Sequence, residues 1–552
     1  MKNNNNKNLI LEEYESEFSY SRSKSNLNIS FNRIAFIFFV FTIISIIFSS
    51  KAIYLGSLKN NNSKDIAFNS EFRSSITDRN DNIIAKTVFT NDVGIKPSLV
   101  IDKKRLLINL KLIFPEKSFE EFKKIEKKLS GNKFFYIQKK ITQEKLQEIL
   151  LLGDKSIRAE QKISRIYPQE NLFSHIIGQI DDGNNGISGV EKSFDFELKR
   201  NNKPLKLTVD TDIQYLIREE LKKSEEIFKN LGSAAILMNI NSGEIISLIS
   251  LPDFNLNKRE KLEDLKFTNK ITKGVYELGS VFKTLTLAAA FDYNILEPST
   301  FFEKLEKKIF CAGNQISEYD NKIPSNLTAE EILIRSSNIG SVRIVQKIGI
   351  DKYKSFLKKI GILEKIEFDI DEVGQPISFR WGKCKLATSS FGHGITTTPL
   401  QLAKAYSIIS NGGYDVKPTI IKLDKNNIKN KILNDNVSNK INPILRKVVS
   451  TKEGTAHFAD VFGYEVGGKT GTADKAKNGV YTKDKINTFV SIFPISKPKF
   501  VLVILLDEPK PSKDYVYHYR DGRPPYKGNW RNTAGWTTVL IAGKIIERIG
   551  PI

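Results

Sequence analysis

The sequence predicts an α+β chain of several domains. These are one membrane-length apolar helix, an N-terminal mixed module, and a larger C-terminal domain built on a mainly antiparallel sheet flanked by helices. Three observations carry this. Ile34 to Ser50 (IAFIFFVFTIISIIFSS) holds no charged residue, and Ala52 to Gly56 extends it past Lys51, long enough to span a bilayer. Ala234 to Met238 and Ile245 to Ser250 flank the turn Asn241-Ser242-Gly243 and read as a hairpin. Thr488 to Phe493 and Phe500 to Leu506 flank a Pro-containing turn over 494–499 and read as a second strand pair. A length of 552 residues allows a large core and two or three domains, and there are no internal repeats.

Taken in order, residues 1–33 are rich in Asn and Lys and read as a disordered tail. Residues 34–54 read as an uncleaved anchor. A cleaved signal peptide is the competing reading, since Ser50-Lys51-Ala52 has small residues at cleavage spacing. Against it stand the length of the preceding segment and its Glu12, Glu13, Glu15 and Glu17. Arg22, Lys24 and Arg33 before the span balance Lys51, Lys59 and Lys64 after it, so loop charge does not set the orientation. Residues 57–70 read as a polar linker. Residues 71–205 read as an α+β module whose Lys/Glu-rich helical stretches, 104–129 and 142–152, form solvated surface. Residues 206–552 form the remaining domain.

A net charge of +22 would suit nucleic acid or an anionic surface. Lys, Asn and Ile are abundant everywhere, however, and no basic stripe is interleaved with aromatics. The charge is therefore a compositional bias, with attraction to anionic lipid head groups as a secondary expectation and no nucleic-acid partner. Four histidines without metal-ligand spacing argue against a zinc enzyme, and no metal or other cofactor is expected. The two cysteines, Cys311 and Cys384, make no framework. They would pair only in an oxidising compartment, and the sequence leaves that open.

The chemistry lies in three short strings. Ser280-Val-Phe-Lys283 follows Gly279, which lets the chain turn sharply into a helix through Leu285, Leu287, Ala288 and Phe291. Lys283, three residues on, rises on the same helix face as the Ser280 hydroxyl. A serine hydroxyl needs a neighbouring base to become a nucleophile, and a lysine serves only if its pKa is lowered by desolvation or a second cation. Lys469 is the candidate for that cation. Alone the pattern is weak, for Ser21-Arg22-Ser23-Lys24 repeats it in the polar tail.

Thr328-Ala-Glu-Glu331 has the form of a capping box for a helix through Ile334; Ser336-Ser337-Asn338 interrupts, and Ile339, Val342, Ile344 and Val345 resume the apolar pattern. Ser336 would relay a proton between Lys283 and a leaving nitrogen, and the Asn338 amide would hold a substrate backbone. An ordinary helix–helix loop is the bland alternative.

Gly467-Gly468-Lys469-Thr470-Gly471-Thr472 lies just before the second strand pair. Its small residues, Gly471 among them, would let a strand backbone lie against a bound peptide. Lys469, Thr470 and Thr472 would bind a terminal carboxylate, and the Thr472 N–H would join that of Ser280 as an oxyanion hole. Gly463 to Thr470 also fits the phosphate-loop spacing. Such a loop leads into a long helix, whereas Gly471-Thr472-Ala473 leads into a Lys/Asp/Gly-rich loop, so nucleotide binding is not expected.

These three strings, in this order, are a signature shared by penicillin-binding proteins and β-lactamases. The chain resembles a class B penicillin-binding protein, most of all the division-specific (septal) peptidoglycan D,D-transpeptidase, from about residue 70 onward. Arg73-Ser-Ser-Ile-Thr-Asp78-Arg79-Asn80 resembles the box that opens the family's non-catalytic module, with Ser74 and Asp81 replacing two family glycines. Arg165-Ile-Tyr167-Pro168, His175, Gly178 and Gly189-Val-Glu191 resemble its end, and Leu207 to Gln214 the start of the transpeptidase domain. Ser390-Phe-Gly-His-Gly394, Thr398-Pro399-Leu400-Gln401, Gly454-Thr455-Ala456 and Ala534-Gly-Trp536 also fit.

The resemblance implies a penicillin-binding transpeptidase domain over 206–552 and a non-catalytic pedestal (dimerisation-like) module over 71–205. It implies acyl transfer from D-Ala–D-Ala stem peptides of peptidoglycan through a Ser280 ester, with β-lactam antibiotics acylating the same serine. The rivals are a side-wall elongation transpeptidase, a β-lactamase or D,D-carboxypeptidase, and a β-lactam sensor or inactive scaffold. With only about 135 residues before the catalytic domain there is no room for a glycosyltransferase module. A membrane-embedded glycan polymerase and other division proteins are then the expected partners. The expected location is the bacterial inner membrane at the division site, tail inside and catalytic domain outside. The acceptor amine is left open.

Overall fold

The structure is a computed structural model that describes residues 26–57, 72–258, 265–422, 430–477, 479–527 and 532–552. It divides into two units, Met1–Phe68 and Asn69–Ile552. Among the described residues of the first, helix α1 (Asn26–Ser57) contains an apolar stretch of 22 residues, Arg33–Tyr54, none of it buried. At 1.5 Å per residue that stretch covers about 33 Å, the thickness of a hydrocarbon core. The helix starts inside the segment read as tail and takes in residue 57 of the expected linker. The rest of both segments, 1–25 and 58–70, lies outside the described residues.

In the second unit a two-residue strand, Ile76–Thr77, precedes and pairs with a long one, β1 (Ile83–Ile95). It is followed by α2 (Lys103–Ile113), α3 (Phe119–Leu129), β2 (Phe135–Ile141), α4 (Gln143–Leu150) and β3 (Ile157–Ile166). β1 pairs antiparallel with β2 on one side and with β3 along the other. The Lys/Glu-rich stretches are more than solvated surface. The first is split at 114–118, where Ser118 and Glu121 form a capping box. The inner faces of α2, α3 and α4 bury Leu106, Leu110, Phe122, Ile125, Leu129, Leu146 and Ile149 against Val93 and Ile95, a separate small core. Lysines outside and apolar residues at helical spacing inside are what an amphipathic helix requires.

The base of this module belongs to the core of the larger domain, since Ile76, Ile84, Tyr167, Phe173 and Val190 are continuous with it. Polar residues of the two flanking boxes tie it together. Glu191, fully buried, pairs with Arg73 at 2.9 Å and Arg165 at 2.7 Å and accepts from Tyr167 Oη at 3.2 Å. Asp78 accepts from the backbone N–H of Asn80, Asn82 and Thr211. Asp81 takes φ +67, so aspartate adopts the left-handed turn for which glycine is the usual residue.

The larger domain comprises α5 (Thr211–Phe228), β4 (Gly232–Asn239), β5 (Ile245–Leu251), α6 (Phe282–Asp292), the hairpin β6 (Lys308–Cys311) and β7 (Asn314–Ser317), α7 (Ala329–Ile334) and α8 (Asn338–Ile348). It continues with α9 (Lys383–Ser389), α10 (Pro399–Ser410), α11 (Asp435–Ser450), β8 (Gly467–Lys477), β9 (Val480–Phe493), β10 (Phe500–Asp507) and α12 (Thr538–Ile549). Both expected strand pairs join one antiparallel sheet, ordered β8-β9-β10-β4-β5. Gly467 to Lys477 is not a lead-in and loop but the edge strand of that sheet, hydrogen-bonded to β9 almost throughout. It opens no helix, so the fit to a phosphate loop is one of spacing only. α5 and α12 pack together on the sheet, as do α10 and α11. α6 is buried on every side, so its polar residues Lys283, Thr284, Thr286 and Asp292 are buried along with its apolar ones.

Candidate active site

Gly279 takes φ +63 and opens a 3₁₀ turn, Gly279–Val281, that delivers Ser280 to the start of α6. A Cβ at Gly279 would lie 2.7 Å from Thr472 O, and one at Gly471 would lie 2.2 Å from Leu278 O. Only glycine at both positions lets edge strand β8 press its backbone against the serine turn. Gly392 makes a third such approach, since its Cβ would meet Gly279 O at 2.1 Å. That places Ser390 to Gly394 directly on the serine turn. Glu277 clamps this side by accepting from Gly394 N at 2.9 Å and Tyr481 Oη at 2.8 Å.

Lys283, one turn beyond the half-exposed Ser280, is 2% exposed, and Lys469 is fully buried. Both amines converge on Ser336. Lys283 Nζ donates to Ser336 O at 2.5 Å and to Ser336 Oγ at 3.1 Å; Lys469 Nζ donates to Ser336 Oγ at 2.9 Å and to Thr470 O at 3.1 Å. A hydroxyl has two acceptor positions and one hydrogen. With both acceptors facing amines, the Ser336 hydrogen is left to point elsewhere. Ser280 Oγ is not among the partners of either amine in this structure. Ser336 also sits at φ +56, a left-handed conformation that costs a non-glycine residue about 1–2 kcal/mol. It persists because the flanking helices and both lysines hold it there.

Burial pushes the Lys283 amine down to about 7, partly countered by the negative charge of Glu318. The Lys469 amine falls well below its ordinary value, by burial first and the charge of Lys283 second. Lys469 was expected to depress Lys283. Burial is the first cause at both amines, and the repulsion between them belongs to the pair.

The capping box at Thr328 and Glu331 forms as expected and starts α7. Ser337 caps α8, its Oγ accepting from Gly340 N at 2.9 Å. Asn338 borders the site, but its Nδ2 donates to Ser317 O at 2.8 Å, which leaves Oδ1 as the side chain's acceptor for another group. Thr470 Oγ1 lies 2.8 Å from Thr455 Oγ1, and Thr472 Oγ1 accepts from Ala534 N at 3.0 Å. The Gly454–Ala456 and Ala534–Trp536 segments therefore support the edge strand.

Glu318 was not legible in the sequence. It accepts from Ser337 Oγ, from Asn338 N at 2.7 Å and from Ile339 N at 3.2 Å. It lies in a polar stretch with no pattern around it, and only the tertiary contact marks it. Cys311 and Cys384 form a disulfide with Cα atoms 5.5 Å apart. Among the described residues there is no group of three His, Cys, Asp or Glu able to hold a metal.

A neutral-range amine one helical turn from a serine, a shared hydroxyl and an open strand edge together suit acyl transfer. The comparisons agree. Residues 233–521 match the penicillin binding protein transpeptidase domain, and residues 71–227 the penicillin-binding protein dimerisation domain. The probable peptidoglycan D,D-transpeptidase FtsI of Caulobacter vibrioides is 27% identical over 495 residues, 87% of this chain and 81% of that protein. The FtsI of Buchnera aphidicola is 29% identical over 518 residues, 86% of this chain and 88% of that one. Stage V sporulation protein D of Bacillus subtilis is 28% identical over 494 residues, 81% of this chain and 76% of that one. The crystal structure of penicillin binding protein 3 from Mycobacterium tuberculosis, complexed with aztreonam, superposes with a TM-score of 0.64 at 20% identity. It covers 87% of this chain and 96% of that one. With the transpeptidase match spanning more than half its length and the dimerisation module before it, the chain belongs to the penicillin-binding protein transpeptidase family, in the class B arrangement.

Proposed function

We propose that this protein is a septal peptidoglycan D,D-transpeptidase in which Ser280 carries the acyl group. The observation that carries the reading is the buried Ser336 hydroxyl shared by Lys283 and Lys469 beside the serine turn. Neutral Lys283 takes the Ser280 proton, and Ser280 Oγ bonds to the carbonyl carbon of the penultimate D-Ala. The Ser280 and Thr472 N–H groups receive the oxyanion. The C–N bond then breaks, and the departing D-Ala nitrogen takes its proton from Lys283 through Ser336. An amine of a second stem peptide attacks the ester, its proton returning to Ser280 by the same route. Lys469, Thr470, Gly471 and Thr472 would line the donor strand, its terminal carboxylate near Lys469, with Asn338 Oδ1 accepting from the donor backbone.

The test is acylation by a fluorescent penicillin. Ser280→Ala should abolish labelling while the chain still folds. Covalent labelling of that variant would overturn the assignment of the nucleophile.

A septal role is supported by the relatives named FtsI, and the sporulation protein among them marks the alternative of a specialised wall. Depletion should give filaments, whereas swollen cells would place the enzyme in side-wall growth. An anchor over 34–54 with residues 71–552 outside the inner membrane is supported by the apolar helix and by a disulfide, which persists in oxidising compartments. Protease added to spheroplasts should remove the large domain and leave a short stub. Domain limits near 71 and 206, and a membrane-embedded glycan polymerase as partner, belong to the same reading.

A further inference from the structure

We propose that the β6–β7 hairpin, pinned by Cys311–Cys384, is a brace for the catalytic loop, and that Glu318 is the positioning residue through which it acts. This rests on the reading of Lys283 as the base of Ser280.

The hairpin is poorly anchored by packing. Residues 312–315 at its tip are exposed, and in the strands only Ile316 is buried, with Ile309 and Cys311 partly so. The disulfide joins Cys311, at the end of β6, to Cys384 on α9, 73 residues away in sequence. Both cysteines are partly exposed, so a reductant can reach them. From the far end of the hairpin come the contacts that hold the catalytic loop. Ser317 O receives Asn338 Nδ2, and Glu318 receives Ser337 Oγ, Asn338 N and Ile339 N. A carboxylate at the start of α8 satisfies N–H groups that the helix itself cannot. These contacts fix Ser337 and Asn338, and so fix the neighbouring Ser336 under the two amines.

Glu318 has a second effect that a merely structural brace would lack. The charged groups acting on Lys283 and its partner are Glu318, which favours the ammonium, and Lys469, which is itself depressed by Lys283. Taking the carboxylate away leaves Lys283 neutral to lower pH. A loosened hairpin should therefore slow acylation and also move its acid limb downward.

The experiment measures the rate of acylation by a fluorescent penicillin across pH. It compares the oxidised full-length protein in detergent with the same protein after a phosphine reductant. The phosphine becomes its oxide as the disulfide becomes two thiols, which a thiol reagent counts. Reduction should slow acylation about tenfold, the scale of one lost charge-assisted contact, and shift the acid limb to lower pH. The Cys311→Ser/Cys384→Ser double variant should behave like the reduced protein and ignore the reductant. Glu318→Gln, which keeps one accepting oxygen, should shift the limb with a smaller loss of rate. Unchanged rate and limb in the reduced protein and in Glu318→Gln would overturn the brace while leaving Ser280 in place. A wild-type protein that never labels would sink the underlying reading and the brace with it.

Discussion

Ser336 is the residue on which the site can be taken apart, because its side chain and its backbone do separate things. The Oγ atom receives Lys469 at 2.9 Å and Lys283 at 3.1 Å, while the backbone stands at φ +56. Ser336→Ala removes the hydroxyl and keeps the backbone cost. Lys283 retains Ser336 O and Lys469 retains Thr470 O, so neither amine is orphaned. Loss of a hydrogen bond to a charged group costs about 1.5–3 kcal/mol. If that loss is felt in the transition state, acylation falls about 10–100-fold. Ser336→Gly removes the same hydroxyl but relieves the left-handed conformation, worth about 1 kcal/mol. The glycine variant should therefore acylate as slowly as the alanine variant yet unfold at a temperature about one degree above it. Stopped-flow acylation with a chromogenic β-lactam and calorimetric unfolding of the purified protein read the two effects separately. Wild-type acylation by Ser336→Ala would refute the relay, and a glycine variant no more stable than the alanine one would refute the strain.

Three further outcomes follow from the same geometry. Lys283 is held near 7 in the fold and titrates at about 10.4 when unfolded. The unfolded chain thus binds more protons between those values, and stability should rise with pH from about 7 to 10. Lys283→Met should lose part of that rise along with acylation, as denaturant titrations at several pH values would record. Gly471→Ala drives a Cβ to 2.2 Å from Leu278 O, between two backbone segments that cannot both stay put. Expect about 1–3 kcal/mol of destabilisation and a larger loss of acylation, since the edge strand must move off the serine turn. Glu191→Ala strands the buried guanidinium of Arg165, leaves Arg73 with Asp195, and should cost about 3–5 kcal/mol. Because the module base shares the catalytic core, penicillin labelling should fail at lower temperature in that variant.

The three motifs, the apolar helix and both strand pairs were legible from sequence because each is local. Periodicity, a capping box or a glycine before a serine acts within a few residues, and the chain states it directly. The sheet order was not. β10 pairs with β4, some 260 residues earlier, and β8 is a strand although its second half, Asp474 to Lys477, is charged. That half lies at an exposed edge, where polar side chains meet water and the backbone pairing with β9 decides the structure. The Lys/Glu-rich stretches of the first module misled for the opposite reason. Their lysines are solvated as read, but every third or fourth residue turns inward onto β1 and β2.

The division within the site follows the same line. Sequence by itself nominated the groups proposed for the chemistry, since the motifs name Ser280, Lys283, Ser336 and Lys469 by residue type and order. Tertiary structure alone decided how they are tuned. The drop in the Lys283 pKa comes mainly from burial, and burial is a property of everything packed around α6. Glu318 and the Cys311–Cys384 bond touch residues 19 or more positions away, across contacts that exist only once the hairpin, α8 and α9 have come together.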